Sequence, residues 1–243
     1  MSALLIEEST DRLVVRLNRP EARNAIDQQM VDELHAACAL LERKPRVALI
    51  IGEGSTFAAG ADIAQLRERR RSDALRGINS GIFDRIRKLP MPTIALIDGY
   101  ALGGGAELAY ACDFRIGTAS AKIGNPEPGL GILAAAGANW RLGELVGEPI
   151  AKEILLAGRI LDAHEALGVH LLNEVTDDLL QAGNALADRI TRQADLAVRL
   201  TKELFHAPRD AHPLIDNIAQ AVLFETDDKH ARMTAFLDRE KKD

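Results

Sequence analysis

Two glycine-rich segments each follow an apolar run. Phe57-Ala-Ala-Gly-Ala-Asp-Ile63 comes after Val47–Ile51, and Asp98-Gly-Tyr-Ala-Leu-Gly-Gly-Gly-Ala-Glu-Leu108 comes after Thr93–Ile97. Each reads as a strand-to-helix turn. At such a turn the first N–H groups of the helix have no intrahelical acceptor and carry the positive end of its dipole. Glycine lets a ligand approach that backbone closely. Two such turns side by side would aim two N–H donors at one oxygen, an arrangement suited to an ester or thioester carbonyl. Glu107 falls in the first turn of the second helix, where the dipole alone already favours a carboxylate. Glu127 lies in Gly124-Asn-Pro-Glu-Pro-Gly-Leu-Gly131, stiffened by a proline on each side. Two carboxylates on separate rigid elements suit acid–base work. The residue types alone leave the structural and the catalytic readings both open.

Other chemistries are excluded by spacing. Gly103–Leu108 fails G-x-G-x-x-G because Leu108 stands at the sixth position, and there is no Walker A sequence. Gly77-Ile-Asn-Ser-Gly81 has its serine one place late for a nucleophile elbow. The six histidines are scattered, and His164 with His170 lacks ligand spacing, so they read as surface or packing residues. Cys38 and Cys112 make neither a disulfide framework nor a four-ligand metal site, and Cys112 reads as a small buried hydrophobe. No metal is expected.

The elements that must position these groups alternate between periods of two and 3.6. Leu13–Leu17, Val47–Ile51 and Thr93–Ile97 read as strands, the last two buried on both faces. Met30, Leu34, Cys38 and Leu41 mark a helix capped by Asp27 and stopped by Pro45. Leu75, Ile78, Ile82, Ile86 and Leu89 mark another, from Ser72 to Pro90. This alternation predicts an α/β core over 1–190, carrying the active site. From about Asp177 the pattern is helical only, and no glycine follows Gly183. Residues 191–243 are therefore expected to form a C-terminal helical region for oligomerisation and pocket closure. Leu196, Leu200, Leu204 and Phe205 give it one stripe; Ile215, Ile218, Val222 and Phe224 give it another.

The 243 residues carry 30 Lys and Arg against 36 Asp and Glu, a net charge of −6. That balance argues against a nucleic-acid or anionic-membrane binder. No apolar run is long enough to span a bilayer, and the amino terminus lacks the basic segment of a secretory signal. With few cysteines, a cytoplasmic location is expected.

Together, Leu17-Asn-Arg-Pro-Glu-Ala-Arg-Asn-Ala-Ile26, Phe57–Ile63, Gly99–Leu108, Cys112-Asp113 and Asn125-Pro-Glu127 with Gly129 and Gly131 resemble the crotonase, or enoyl-CoA hydratase/isomerase, superfamily, in the family's order and spacing. The pattern is most similar to that of the enoyl-CoA hydratases. The resemblance implies a spiral of β-β-α turns followed by helices that close a homotrimer or a dimer of trimers. It implies acyl-CoA thioester substrates, with coenzyme A entering as part of the substrate and no separate cofactor. By position, the N–H groups of Ala61 and Gly104 would hold the thioester oxygen. Glu107 and Glu127 match the family's two hydratase glutamates, which together add water across a trans-2-enoyl thioester. Arg23, Ala59, Ala61, Asp62, Ile63, Ala64 and Gly104 match the segments that line the substrate channel.

The chain departs from the hydratase pattern after Gly131. Ala134 stands where a proline is usual, Ala138 where a second glycine is, and Asn139-Trp140 where Thr-Gln is. This segment adjoins the second glutamate and bears on acyl chain and reaction class. Trp140 reads as a packing residue, with pocket lining as the alternative. Two other functions stay open. One is a different crotonase reaction such as enoyl-CoA isomerisation. The other is a non-catalytic RNA-binding or scaffold role, resting on Arg67-Glu-Arg-Arg-Arg71 and Arg76, which otherwise read as a solvated face.

Overall fold

The apolar runs at 47–52 and 93–97 become central strands buried on both faces, as continuous hydrophobicity requires. They belong to a computed structural model that describes residues 2–240. The chain forms two compact units, one running to Ala187 and one beginning at Asp188.

In the first unit, six strands lie in the order β1-β2-β3-β4-β6-β9. β1 (Leu4–Glu8) and β2 (Arg12–Leu17) pair antiparallel; β3 (Val47–Gly52), β4 (Thr93–Ile97), β6 (Phe114–Gly117) and β9 (Glu174–Val175) continue in parallel. A second sheet has the order β5-β7-β8, from Tyr100–Leu102, Lys122–Gly124 and Ile160–Asp162. β4 leads to β5 and then to a helix, and β6 leads to β7, so each of these two turns of the chain adds one strand to each sheet. Single parallel bridges, Ala58 with Ala101 and Ile26 with Ala61, extend this pattern toward the amino terminus. The sequence pattern predicts a direct strand-to-helix turn after each central strand. The intervening second strand is three residues or a single bridge, too short to display a period of two.

The helices of this unit are α1 (Gln28–Arg43), α2 (Ile63–Glu68), α3 (Arg71–Arg76), α4 (Ile78–Arg87), α5 (Gly104–Ala111), α6 (Ala138–Val146), α7 (Glu148–Ala157), α8 (Ala163–Gly168) and α9 (Leu179–Thr191), which runs past its boundary. α1 starts as its cap predicts, with Asp27 accepting from the Met30 N–H. The helix expected from Ser72 to Pro90 is instead two. Gly77 adopts φ 62°, a left-handed conformation that ends α3 and starts α4, and α3 begins after Arg70 rather than at Ser72. Leu75 is accordingly 81% exposed rather than part of the buried stripe.

α5 is fixed at its far end by buried Arg115. Its Nε donates to the Leu171 carbonyl at 2.7 Å, and its Nη1 donates to the carbonyls of Cys112 (2.7 Å) and Ala109 (3.3 Å). A cation at a helix C-terminus complements the dipole. Burial pulls the Arg115 pKa down to about 10, so the group stays charged at neutral pH. Asp113 fastens β6 to β4 by accepting from the Thr93 N–H (2.7 Å) and hydroxyl (3.0 Å). Cys112 is buried, as predicted.

The second unit holds α10 (Asp195–Phe205), α11 (Leu214–Phe224) and α12 (Asp227–Glu240). Leu200 and Leu204 of α10 line a cavity of about 320 Å³ together with Leu223 of α11. The predicted second stripe does not turn wholly inward: Ile218, Val222 and Phe224 are exposed on this chain. Among the described residues, no helix is long and apolar enough to cross a membrane.

Candidate active site

The donor pair is set by strand geometry. In its parallel bridge, Ile26 donates to the Gly60 carbonyl (2.8 Å) and accepts from the Asp62 N–H (3.0 Å). Both bonds go to the neighbours of Ala61, so the Ala61 N–H itself points to the opposite side. There it meets the start of α5: a Cβ built on Gly104 would lie 3.4 Å from the Ala61 nitrogen. Gly104 is the first residue of α5, whose N–H has no acceptor within the helix. Ala61 precedes Asp62, the cap of α2. Its N–H is therefore freed by the bridge rather than by a helix start, contrary to the sequence expectation.

Glu107, on the first turn of α5, is 4% exposed. Its Oε1 accepts from the backbone N–H groups of Ala136 (2.7 Å) and Ala138 (3.1 Å). Ala138 is the first residue of α6, so a second helix N-terminus faces this carboxylate. Burial nevertheless outweighs these bonds, and the adjacent charge of Glu127 adds to it, pushing the Glu107 pKa up to about 7.

Glu127 is 8% exposed and begins a 3₁₀ turn, Glu127–Leu130. Burial raises its pKa as well. Its Oε1 accepts a long 3.4 Å bond from Asn125 Nδ2, while Oε2 is buried with no protein partner. The Asn125 side-chain oxygen accepts from the Tyr110 hydroxyl at 3.0 Å, and its Nδ2 lies 3.4 Å from the Gly103 carbonyl, which can only accept, so the NH₂ faces Glu127. Gly103, at φ 52°, lets the backbone pass beside this carboxylate; a Cβ there would lie 3.0 Å from Glu127 Oε1.

Ala61, Gly104, Glu107 and Glu127 all line one cavity of about 150 Å³, with Leu130, Ile132 and Leu133 as apolar wall. Glu107, Ala135 and Ala136 are shared with a neighbouring cavity, also about 150 Å³, whose other lining includes Phe83, Asp84, Arg87, Tyr110, Trp140 and Arg141.

The enoyl-CoA hydratase/isomerase family model matches residues 7–243. The chain belongs to the enoyl-CoA hydratase/isomerase family. It is 36% identical to a crotonyl-CoA hydratase of Syntrophomonas wolfei, over 98% of this chain and 96% of that one. It is 32% identical to a short-chain-enoyl-CoA hydratase of Clostridium acetobutylicum, over 99% and 97%. The crystal structure of an enoyl-CoA hydratase from Bacillus anthracis superposes with a TM-score of 0.91 at 29% identity, covering 98% of this chain and 96% of that one.

Within this hydratase/isomerase frame, Ala59, Ala61, Ile63 and Gly104 line the cavity. Asp62 instead caps α2, accepting from Ala64 and Gln65, and pairs with Arg19 at 3.4 Å. Ala64 contributes its N–H to that cap. Arg23 is exposed, in a left-handed conformation, and its carbonyl accepts from Ala59 at 3.0 Å. Asp62, Ala64 and Arg23 are not part of the cavity wall, so three of the predicted channel residues shape the loop around it. The departure after Gly131 bears on Glu107 rather than on Glu127, through main-chain N–H groups. Trp140 is 47% exposed, lies under Arg87 (4.9 Å to the ring centre) and lines the second cavity, which favours the pocket role over packing. Tyr110 and Asn125, whose side chains link through a hydrogen bond to Glu127, are not singled out by the sequence reading. Asn125 lies inside the quoted motif, and Tyr110 stands three residues beyond Glu107 on the same helix, a spacing that could have suggested it. The arginine run is divided: Arg67 pairs with Glu68, Arg76 with Asp73, and Arg69 reaches Asn79 at the cavity. Among the described residues no cluster of three or more His, Cys, Asp or Glu could hold a metal ion.

Proposed function

We propose that this protein is a hydro-lyase that adds water across the double bond of a short trans-2-enoyl-CoA, giving a 3-hydroxyacyl-CoA. The observation that carries this reading is the convergence of two backbone donors and two buried carboxylates on one cavity. The Ala61 and Gly104 N–H groups take the thioester oxygen, stabilising the enolate that forms as oxygen bonds to C3. Burial raises both carboxyls, Glu107 to about 7, so Glu107 is part-protonated at neutral pH and the pair can hold one proton. One, ionised, takes a proton from water as its oxygen attacks C3; the other, protonated, gives its proton to C2. The pair then still holds one proton and is ready for the next substrate. Backbone dipoles meet the enolate charge, so this chemistry calls for no metal or redox cofactor.

The acyl chain extends past Glu107 into the second cavity. A void of about 150 Å³ holds roughly six non-hydrogen atoms. Its wall carries Asp84 with Arg87, paired at 3.1 Å, and Arg141. A longer apolar tail would desolvate these charges without replacing their contacts. The names of the two relatives accord with a short chain. Exposed Leu214, Ile218 and Val222 on α11 support a homo-oligomer, a trimer or dimer of trimers; sedimentation tests this. The net charge and divided arginine run speak against a nucleic-acid partner. The deciding experiment mixes the protein with crotonyl-CoA. Loss of the conjugated enoyl-thioester absorbance is the expected result; no loss with four- to eight-carbon substrates overturns the reading.

A further inference from the structure

The break at Gly77 places a residue that the two-carboxylate reading does not use. Asn79 is the second residue of α4 and lines the cavity with Ala61, Gly104 and Arg69. The position a Cβ would take on Gly104 lies 3.5 Å from Asn79 Nδ2, and 3.4 Å from the Ala61 nitrogen. Side-chain amide and main-chain amide thus face the same open spot beside the start of α5. The orientation of the Asn79 amide is fixed chemically. Arg69 Nη1 lies 3.2 Å from Oδ1, and a guanidinium can only donate, so the oxygen faces Arg69 and the NH₂ faces the glycine. Nδ2 has no acceptor among the described residues.

We propose that Asn79 is a third hydrogen-bond donor to the thioester oxygen, so that the enolate is held by two main-chain N–H groups and one side-chain amide. A carbonyl oxygen has the lone-pair capacity to take them as negative charge grows on it. The Arg69 cation behind Oδ1 polarises the amide and strengthens Nδ2 as a donor. The two short helices where a single longer one is expected have a consequence here: starting α4 at Ile78 sets Asn79 within the first turn, beside the oxyanion position. This inference rests on the proposed hydration chemistry and adds a residue to it.

The test uses Asn79→Ala, Asn79→Asp and the wild type with two probes. Crotonyl-CoA reports turnover. Acetoacetyl-CoA, a 3-oxoacyl thioester, ionises to an enolate with its own ultraviolet band, so a pH titration of the bound ligand reads stabilisation of the oxyanion directly. With crotonyl-CoA, Asn79→Ala is expected to lower kcat by roughly 10–100-fold with little change in KM. With acetoacetyl-CoA it should raise the apparent pKa of the bound ligand by about 1–2, the same loss in equilibrium form. Asn79→Asp keeps the shape but points a carboxylate at the enolate, and should be at least as damaging. It also serves if the alanine variant fails to fold. Suppose the wild type lowers the ligand pKa and both variants do so equally: Asn79 is then no donor, while the hydratase reading stands. A rise in KM alone would place Asn79 on another part of the substrate and overturn the proposal. If the wild type neither lowers the ligand pKa nor hydrates crotonyl-CoA, the function itself is wrong and the third donor falls with it.

Discussion

Replacing Glu107 by Gln should make the protein more stable in alkali and nearly inactive, and the size of the first effect follows from burial. The carboxyl is pushed from 4.5 to about 7 in the folded chain, chiefly because its charged form is poorly solvated there. The fold therefore favours the protonated form. The stability this group contributes is full below about pH 4.5 and is lost as pH rises through 7. At 1.36 kcal/mol per pH unit, the whole span amounts to ~3 kcal/mol. Glutamine does not ionise, and its oxygen can still accept from Ala136 and Ala138. Other titrating groups are common to both proteins; only Glu127 is coupled to Glu107, and that repulsion is already contained in the Glu107 shift, so the rest cancel in the comparison. Between pH 4.5 and 8, Glu107→Gln should gain ~3 kcal/mol relative to wild type, or about 6–12 °C in melting temperature for a chain of this size. Over the same range kcat should fall by ~10²–10⁴. Thermal melts of both proteins at closely spaced pH values decide the matter. A stability difference that does not change with pH would show that Glu107 is solvated in the folded protein, and the argument for its perturbed pKa would fail.

Glu127→Gln should reduce kcat by a similar ~10²–10⁴, and the double variant should be little worse than either single one, because groups acting as a unit lose function non-additively; additive losses in steady-state kinetics would separate their roles. Gly104→Ala suits the helix but puts a methyl group where the thioester oxygen is proposed to sit, so kcat/KM should drop ~10²-fold with an unchanged or raised Tm; retained activity would move the oxyanion site elsewhere. Trp140→Ala should open the second cavity and raise the eight-carbon to four-carbon ratio of kcat/KM at least several-fold; an unchanged ratio would mean the acyl tail does not reach Trp140.

The parts of this fold legible in sequence are those with enough residues to show a period. β3 and β4 declare themselves as unbroken apolar runs, and α1 by its stripe and its Asp27 cap. β5, β7 and the single bridges at Ile26 and Ala58 do not, because three residues or one carry no periodicity. The helix break at Gly77 was hidden by a stripe that continues at helical spacing on both sides of it. At the candidate site, residue type and the rigidity of their segments marked Glu107 and Glu127 as candidates, and only the family resemblance singled them out as a pair. The donors that hold Glu107 were not, since a main-chain N–H is present at every non-proline position and alanine at 136 or 138 says nothing of where it points. Asp62 matched a family segment, yet its carboxylate is occupied as a helix cap, a role the same residue type signals equally well.

The prominence of main-chain donors has a spectroscopic consequence. The amide protons of Ala61 and Gly104 have no acceptor among the described residues, whereas those of Ala136 and Ala138 are bonded to a buried carboxylate. In deuterated solvent the first pair should exchange quickly and slow sharply when a thioester is bound. The second pair should already be slow, and should respond to the protonation of Glu107 rather than to ligand. Four resonances in one nitrogen–proton spectrum would then read occupancy of the oxyanion position and the charge of the carboxylate separately, with no change made to the protein.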